Sequence, residues 1–204
     1  MTLDVRDVPA GVMRLAEECG FERGHTLQVT RLALLLFDRL SSLHRLPPSA
    51  RRLLACAGML HDIGWCRGAK GHHKSAYDII TERPPDELSP DEVQMVALIA
   101  RYHRKKGPSL EHPPFARLSP PERDTVRALS AILRVADGLD RGHRDAVQDI
   151  SVIIEPGRVL LNLEAPGGAE LEIWGALRKA DVFEKVFGVS LDIRTTPETH
   201  AQEG

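Results

Sequence analysis

Through the first two thirds of the chain, apolar positions recur at helical spacing; near the end the period shortens to that of strands. Pro9 to Cys19 reads as a first helix, stopped by Gly20. From His25 to Leu43 the residues Val29, Leu32, Ala33, Leu36, Phe37 and Leu40 mark a helix with one buried face. Pro47 and Pro48 end it, and Ser49 is placed to cap a helix running to about Leu60. His61-Asp62-Ile63-Gly64 falls where that helix stops, with the glycine free to take a conformation other residues avoid. A further helix covers Lys74 to Glu82, closed by Pro84 and Pro85. Ser89-Pro90-Asp91-Glu92 and Ser119-Pro120-Pro121-Glu122 each combine a capping serine, an early proline and a glutamate at the third position. The helices they open run to about His103 and Asp137, and the proline-rich Lys106 to Leu118 between them is expected as a surface loop.

Near Asp149 the pattern changes. Ile150 to Ile154 and Val159 to Leu163 read as strands joined at Pro156-Gly157. Leu171 to Phe187 reads as one helix and Val189 to Ile193 as a last strand, with Thr195 to Gly204 expected to fray. The fold class is therefore mostly α: a helical bundle over 1–148, a small β-β-α-β unit over 149–194 and a tail over 195–204.

Composition narrows the function classes. The 27 Lys+Arg and 29 Asp+Glu give a net charge of −2, which argues against a general nucleic-acid coat. No apolar run approaches the roughly 20 residues of a bilayer span, and the N-terminus lacks signal-peptide order. Three cysteines, Cys19, Cys56 and Cys66, without metal-finger spacing favour a reducing cytoplasm. Nine histidines are the unusual feature, eight of them between His25 and His143.

Imidazoles and carboxylates together suit divalent Mn, Fe, Co, Ni or Zn, and water on such an ion becomes a nucleophile near neutral pH. The chain offers His25 at one helix start, His61 and Asp62 at a helix end, and Asp137 near the end of another. Helix ends converge in bundles, where facing side chains build such centres.

This ordered set resembles the HD superfamily of metal-dependent phosphohydrolases. More narrowly, five stretches resemble the C-terminal region of the exopolyphosphatase/guanosine pentaphosphate phosphatase family: 60–64, 71–74, 100–105, 133–141 and 183–188. The resemblance implies a first metal position at His25, His61, Asp62 and Asp137. It implies a second at His73 and His103 with Asp62 bridging, and His72 and His112 as weaker candidates. Full-length members carry N-terminal domains that act on the phosphate chain. A stand-alone chain of 204 residues is expected to lack that activity and to keep the HD chemistry.

Lys74, Arg101, Arg104, Lys105 and Arg141 flank these positions as candidate phosphate-binding groups. Lys74 and Arg104 rank first, each following a second-site histidine, and share the candidate catalytic role with Asp62. The expected activity is hydrolysis of a nucleotide-like or other phosphorylated small molecule, using one or two ions. The competing reading is a non-catalytic polyphosphate- or nucleotide-binding regulatory module. A homodimer is expected, because relatives of this shape often pair.

Overall fold

Two helices begin as their sequences dictate. The Ser89 hydroxyl accepts from the Glu92 amide at 3.3 Å, and Glu92 Oε2 accepts from the Ser89 amide at 2.9 Å. Two donors left open at a helix start are thereby satisfied. The amide and hydroxyl of Ser119 donate to Glu122 Oε2 at 2.7 and 2.6 Å.

The computed structural model describes residues 8–196. Its helices are α1 (Ala10–Glu18), α2 (Arg23–Arg39), α3 (Ser41–His44), α4 (Ser49–Leu60), α5 (His72–Glu82), α6 (Pro90–Arg101), α7 (Pro113–Ala116) and α8 (Pro120–Gly138). A 3-10 segment, Ile63–Arg67, links α4 to α5. Then come β1 (Asp149–Glu155), β2 (Arg158–Glu164), α9 (Glu170–Leu177), α10 (Asp181–Phe187) and β3 (Ser190–Thr195). The chain is mostly α with a small C-terminal α+β part, as the periodicity implies. Of the tail expected to fray over 195–204, Thr195 instead closes β3, and the residues beyond Thr196, His200 among them, lie outside the described residues.

Helix α2 packs on α4 and α8, and α5 packs on α6 and the 3-10 segment. Strand β1 runs antiparallel to β2, with Asp149 opposite Glu164. Strand β3 runs parallel to β2, with Arg158 opposite Ser190, after a crossover through α9 and α10. One buried apolar cluster includes Leu32, Leu54, Ile99 and Leu133 of the helices, and Ile150, Leu161 and Phe183 of the later unit. Arg31 and Gln28 also donate to the Val147 carbonyl at 2.6 and 2.7 Å, tying the connection after α8 to α2.

Three local expectations change. Ser49 makes no side-chain cap; Pro48 holds the capping position and Ser49 is the first helical residue. The single helix expected over Leu171 to Phe187 is two helices, broken at Arg178-Lys179-Ala180. The Lys179 carbonyl there accepts from the buried Arg134 guanidinium at 3.4 Å. Gly64 does not use the left-handed backbone region. It is required because a Cβ there would lie 1.9 Å from the His72 carbonyl oxygen. A second close approach joins the two parts of the chain: a Cβ on Gly138 would lie 2.4 Å from Ala176 Cα, and one on Gly175 2.6 Å from the Gly138 oxygen.

Candidate metal centre

His61 ends α4 with its side chain fully buried. Its Nδ1 lies 2.7 Å from the Gly58 carbonyl. His103, just past α6, makes the same contact with Ala100 at 2.7 Å, and His72, opening α5, with Ala69 at 3.2 Å. A carbonyl only accepts, so each ring donates through Nδ1–H and turns its Nε2 inward. Metal-ligating histidines are oriented in this way.

These Nε2 atoms converge on Asp62. Its Oδ1 lies 3.2 Å from His72 Nε2 and 3.4 Å from His103 Nε2. Its Oδ2 lies 3.7 Å from His61 Nε2 and 3.9 Å from His25 Nε2. Two sets of ligand-capable atoms result, His25-His61-Asp62 and Asp62-His72-His103, with Asp62 in both. His61 Nε2 and Asp62 Oδ1 are buried without a hydrogen-bond partner among the described residues. Burying such atoms unpaired is costly, so the donor set fits a divalent cation.

His25 is held differently. Its Nδ1 lies 2.8 Å from Asp140 Oδ2, and Asp140 is fully buried and accepts from the Asp145 amide at 3.2 Å. The other ring nitrogen lies 3.6 Å from Asp137 Oδ1. His143 stacks on the His25 ring at 3.9 Å between centroids and is bonded to Glu22 at 2.9 Å. Asp137 sits beside His25 but outside both ligand-capable sets. Its other oxygen, Oδ2, is bonded to Lys179 Nζ.

The charges follow from this packing. Burial works against a charged His25, but Asp137 and Asp140 override it and raise its pKa to about 10. Burial also opposes ionisation of Asp137, and Lys179 and His25 reverse that, holding it well below the usual carboxylate range. Asp62 is likewise held low against its burial, by the imidazoles around it. His103 is pushed down to about 3 by burial and is neutral, the form that can ligate.

The histidine of α5 that faces Asp62 is His72, whereas the family resemblance points to His73. Adjacent helical residues point about 100° apart, so only one of the pair can face the carboxylate. His73 lies beside Arg104, Lys74 and Arg101, and its pKa falls to about 4 through burial and the Arg104 charge. Lys74 and Arg101 also miss the cavity expected to hold phosphate: Lys74 is exposed and Arg101 lies over the Tyr77 ring at 5.5 Å. His112 instead bonds the Tyr102 hydroxyl at 2.9 Å, and His44 the Phe37 carbonyl at 2.8 Å.

A cavity of about 1060 Å³ opens over the cluster, with Arg104, Lys105, Arg141, Arg178 and Lys179 in its walls. Trp65 stacks on His72 at 4.5 Å and forms part of the same wall, as does Trp174 beneath Arg178. Arg134 organises this wall from behind, donating to the carbonyls of Tyr102 (3.2 Å) and Lys105 (3.0 Å) and pairing with Asp181 at 3.0 Å. Four of these groups escape a reading of the sequence. Asp140 carries a signal, since it follows Asp137 by about one helical turn, as a partner for the same ring would. Lys179, Arg178 and Trp174 carry none, because their position depends on where the predicted helix breaks.

No helix among the described residues is long and apolar enough to cross a membrane. Residues 5–167 match the family described as Ppx/GppA phosphatase, domain III. No curated protein matches the chain at a significant level.

Proposed function

The chain belongs to the Ppx/GppA phosphatase family through its domain III, and from that premise we propose a metal-dependent phosphohydrolase. Its substrate class is a nucleotide-like or other phosphorylated small molecule. The observation that carries the reading is the pair of buried atoms without a hydrogen-bond partner among the described residues, His61 Nε2 and Asp62 Oδ1, both in the ligand-capable sets. Leaving such atoms buried and unpaired is costly, and a cation held at the centre satisfies both.

In this reading His25, His61 and Asp62 would hold one divalent ion, with Asp137 able to join them, and Asp62, His72 and His103 would hold another. Bound ions would polarise the phosphoryl group and activate water. The chain's own residues do the rest. Asp62, which belongs to both sets, would serve both positions. Asp140 keeps His25 turned inward. Arg104, Lys105 and Arg141 supply positive charge for the phosphate oxygens as charge grows on them. Trp65 and Trp174 give the remainder of the substrate an apolar surface to lie against. The helical unit through residue 148 thus carries the ligands, and the unit over 149–194 adds to the substrate wall.

The test is elemental analysis of gently purified protein beside a His61→Ala/Asp62→Ala variant of unchanged helical content. Transition metal at one equivalent or more, lost in the variant, is expected, together with Mn²⁺-dependent release of phosphate from a panel of phosphate esters. Absence of metal from both proteins after incubation with Mn²⁺, Fe²⁺ and Zn²⁺ would overturn the reading. Metal binding with ligand returned unchanged would make the protein a phosphate-binding module instead.

A further inference from the structure

Two side-chain cations rest on the atoms proposed to receive metal. Lys179 Nζ is bonded to Asp137 Oδ2. Arg104 donates through Nη1 to His72 Nε2 at 3.1 Å, the ring nitrogen that lies 3.2 Å from Asp62 Oδ1. Neither contact is a loose surface pairing. The Lys179 side chain is about a quarter exposed against Asp137 at 12%. Both cations belong to segments fixed by one residue: Arg134 bonds the carbonyls of Tyr102 and Lys105 on either side of Arg104, and the carbonyl of Lys179 itself. Both also line the cavity, so each has open volume to move into.

We propose that Lys179 and Arg104 are built-in counter-cations, neutralising the centre while it holds no metal and shifting onto substrate phosphate when ions enter. The physical basis is charge economy. Asp62, Asp137 and Asp140 bring three carboxylates into a largely buried space, and such groups need opposite charge nearby. A dication entering the centre satisfies them and turns both side chains into like charges at close range. Each then moves along its flexible stem toward the cavity, where an anionic phosphate completes it. Lys179 in addition holds Asp137 outside the ligand-capable sets, so ion entry and release of Asp137 are one event. The α+β unit, which brings Lys179, thereby acts on the metal affinity of a centre built by the helices.

The inference rests on the metal reading of the same centre, and the experiment separates the two. Mn²⁺ affinity is measured by calorimetry, with no substrate present, for wild type, Lys179→Met and Arg104→Met, each checked for unchanged circular dichroism. Removing a competing cation should tighten Mn²⁺ binding, by roughly five- to twentyfold for Lys179→Met and less for Arg104→Met. Inorganic phosphate should then bind the Mn²⁺-loaded variants more weakly than loaded wild type. Mn²⁺ affinity that is unchanged or weaker in both variants would overturn the proposal and make the two cations orienting partners of their ligands. Binding of Mn²⁺ by none of the three proteins would overturn the metal centre itself, and this inference with it.

Discussion

The two flanks of Asp62 are built on different plans. His61, His72 and His103 are each fixed by a carbonyl three residues earlier in the chain, at Gly58, Ala69 and Ala100. These rings are oriented by the helix ends that carry them. His25 and Asp137 are oriented from far away: His25 by Asp140, 115 residues on, and Asp137 by Lys179, 42 residues on. The first plan makes a ligand atom a property of a local fold. The second makes His25 depend on the turn after α8 and Asp137 on docking of the α+β unit, and so leaves this flank open to adjustment. A centre in which one flank is fixed and the other adjustable can hold one ion position constant while the other responds to charge.

The largest expected effects come from the two glycines that set these flanks. In Gly64→Ala the new Cβ meets the His72 carbonyl, and in Gly138→Ala it meets the backbone of Ala176. Neither neighbour is a flexible side-chain tip, so each change should cost roughly 3 kcal/mol. The difference lies in what is lost. Gly64→Ala should disturb the His72 position and spare the His25 side, while Gly138→Ala should shift α9 and pull Lys179 from Asp137. Thermal unfolding with and without Mn²⁺ reads both: the ion should rescue Gly138→Ala better than Gly64→Ala. Equal rescue of the two would erase the distinction between the flanks.

Next in size is the contrast between neighbours on α5. His72→Ala removes a ring that faces Asp62 at 3.2 Å, whereas His73→Ala removes one that points elsewhere. Loss of a ligand should weaken the second ion by about a hundredfold, and loss of its neighbour by less than about threefold. Isothermal titration with Mn²⁺ resolves this; a larger loss in His73→Ala would return the second position to that residue.

That contrast marks where the sequence stops being legible. His25, His61 and Asp62 stand out in the sequence because they fall near helix ends, and His103 enters through the family resemblance; the fold brings all four together. The choice between His72 and His73 cannot be made in advance, since both lie in the first turn of α5 and a rotation of about 100° decides between them. Helical periodicity also located α2, α4, α6 and α8, whose buried faces are long enough to repeat. It ran α9 and α10 together because Leu171 to Phe187 keeps an apolar stripe across the break. The break is made by tertiary contact: Arg134 reaches the turn carbonyl and Asp181. The lysine that closes the site lies in that turn, so local pattern alone could not reveal it.

The smallest expected effect tests the adjustable flank without moving any ligand. Asp140→Asn keeps an oxygen for His25 Nδ1–H and nearly the same shape, but removes a buried negative charge 2.8 Å from the ring nitrogen. The imidazole stays oriented and becomes a poorer donor, because the carboxylate that raised its basicity is gone. Metal affinity at the first position should fall by about tenfold, with the second position within about twofold of wild type. Asp140→Ala, which also frees the ring, should fall further, toward the hundredfold loss of a missing ligand. If Asn and Ala at this site weaken binding equally, orientation contributes nothing beyond charge, and the long-range flank is held by electrostatics alone. If Asn matches wild type, the bond geometry is sufficient and the buried charge of Asp140 serves only to keep His25 protonated in the metal-free protein.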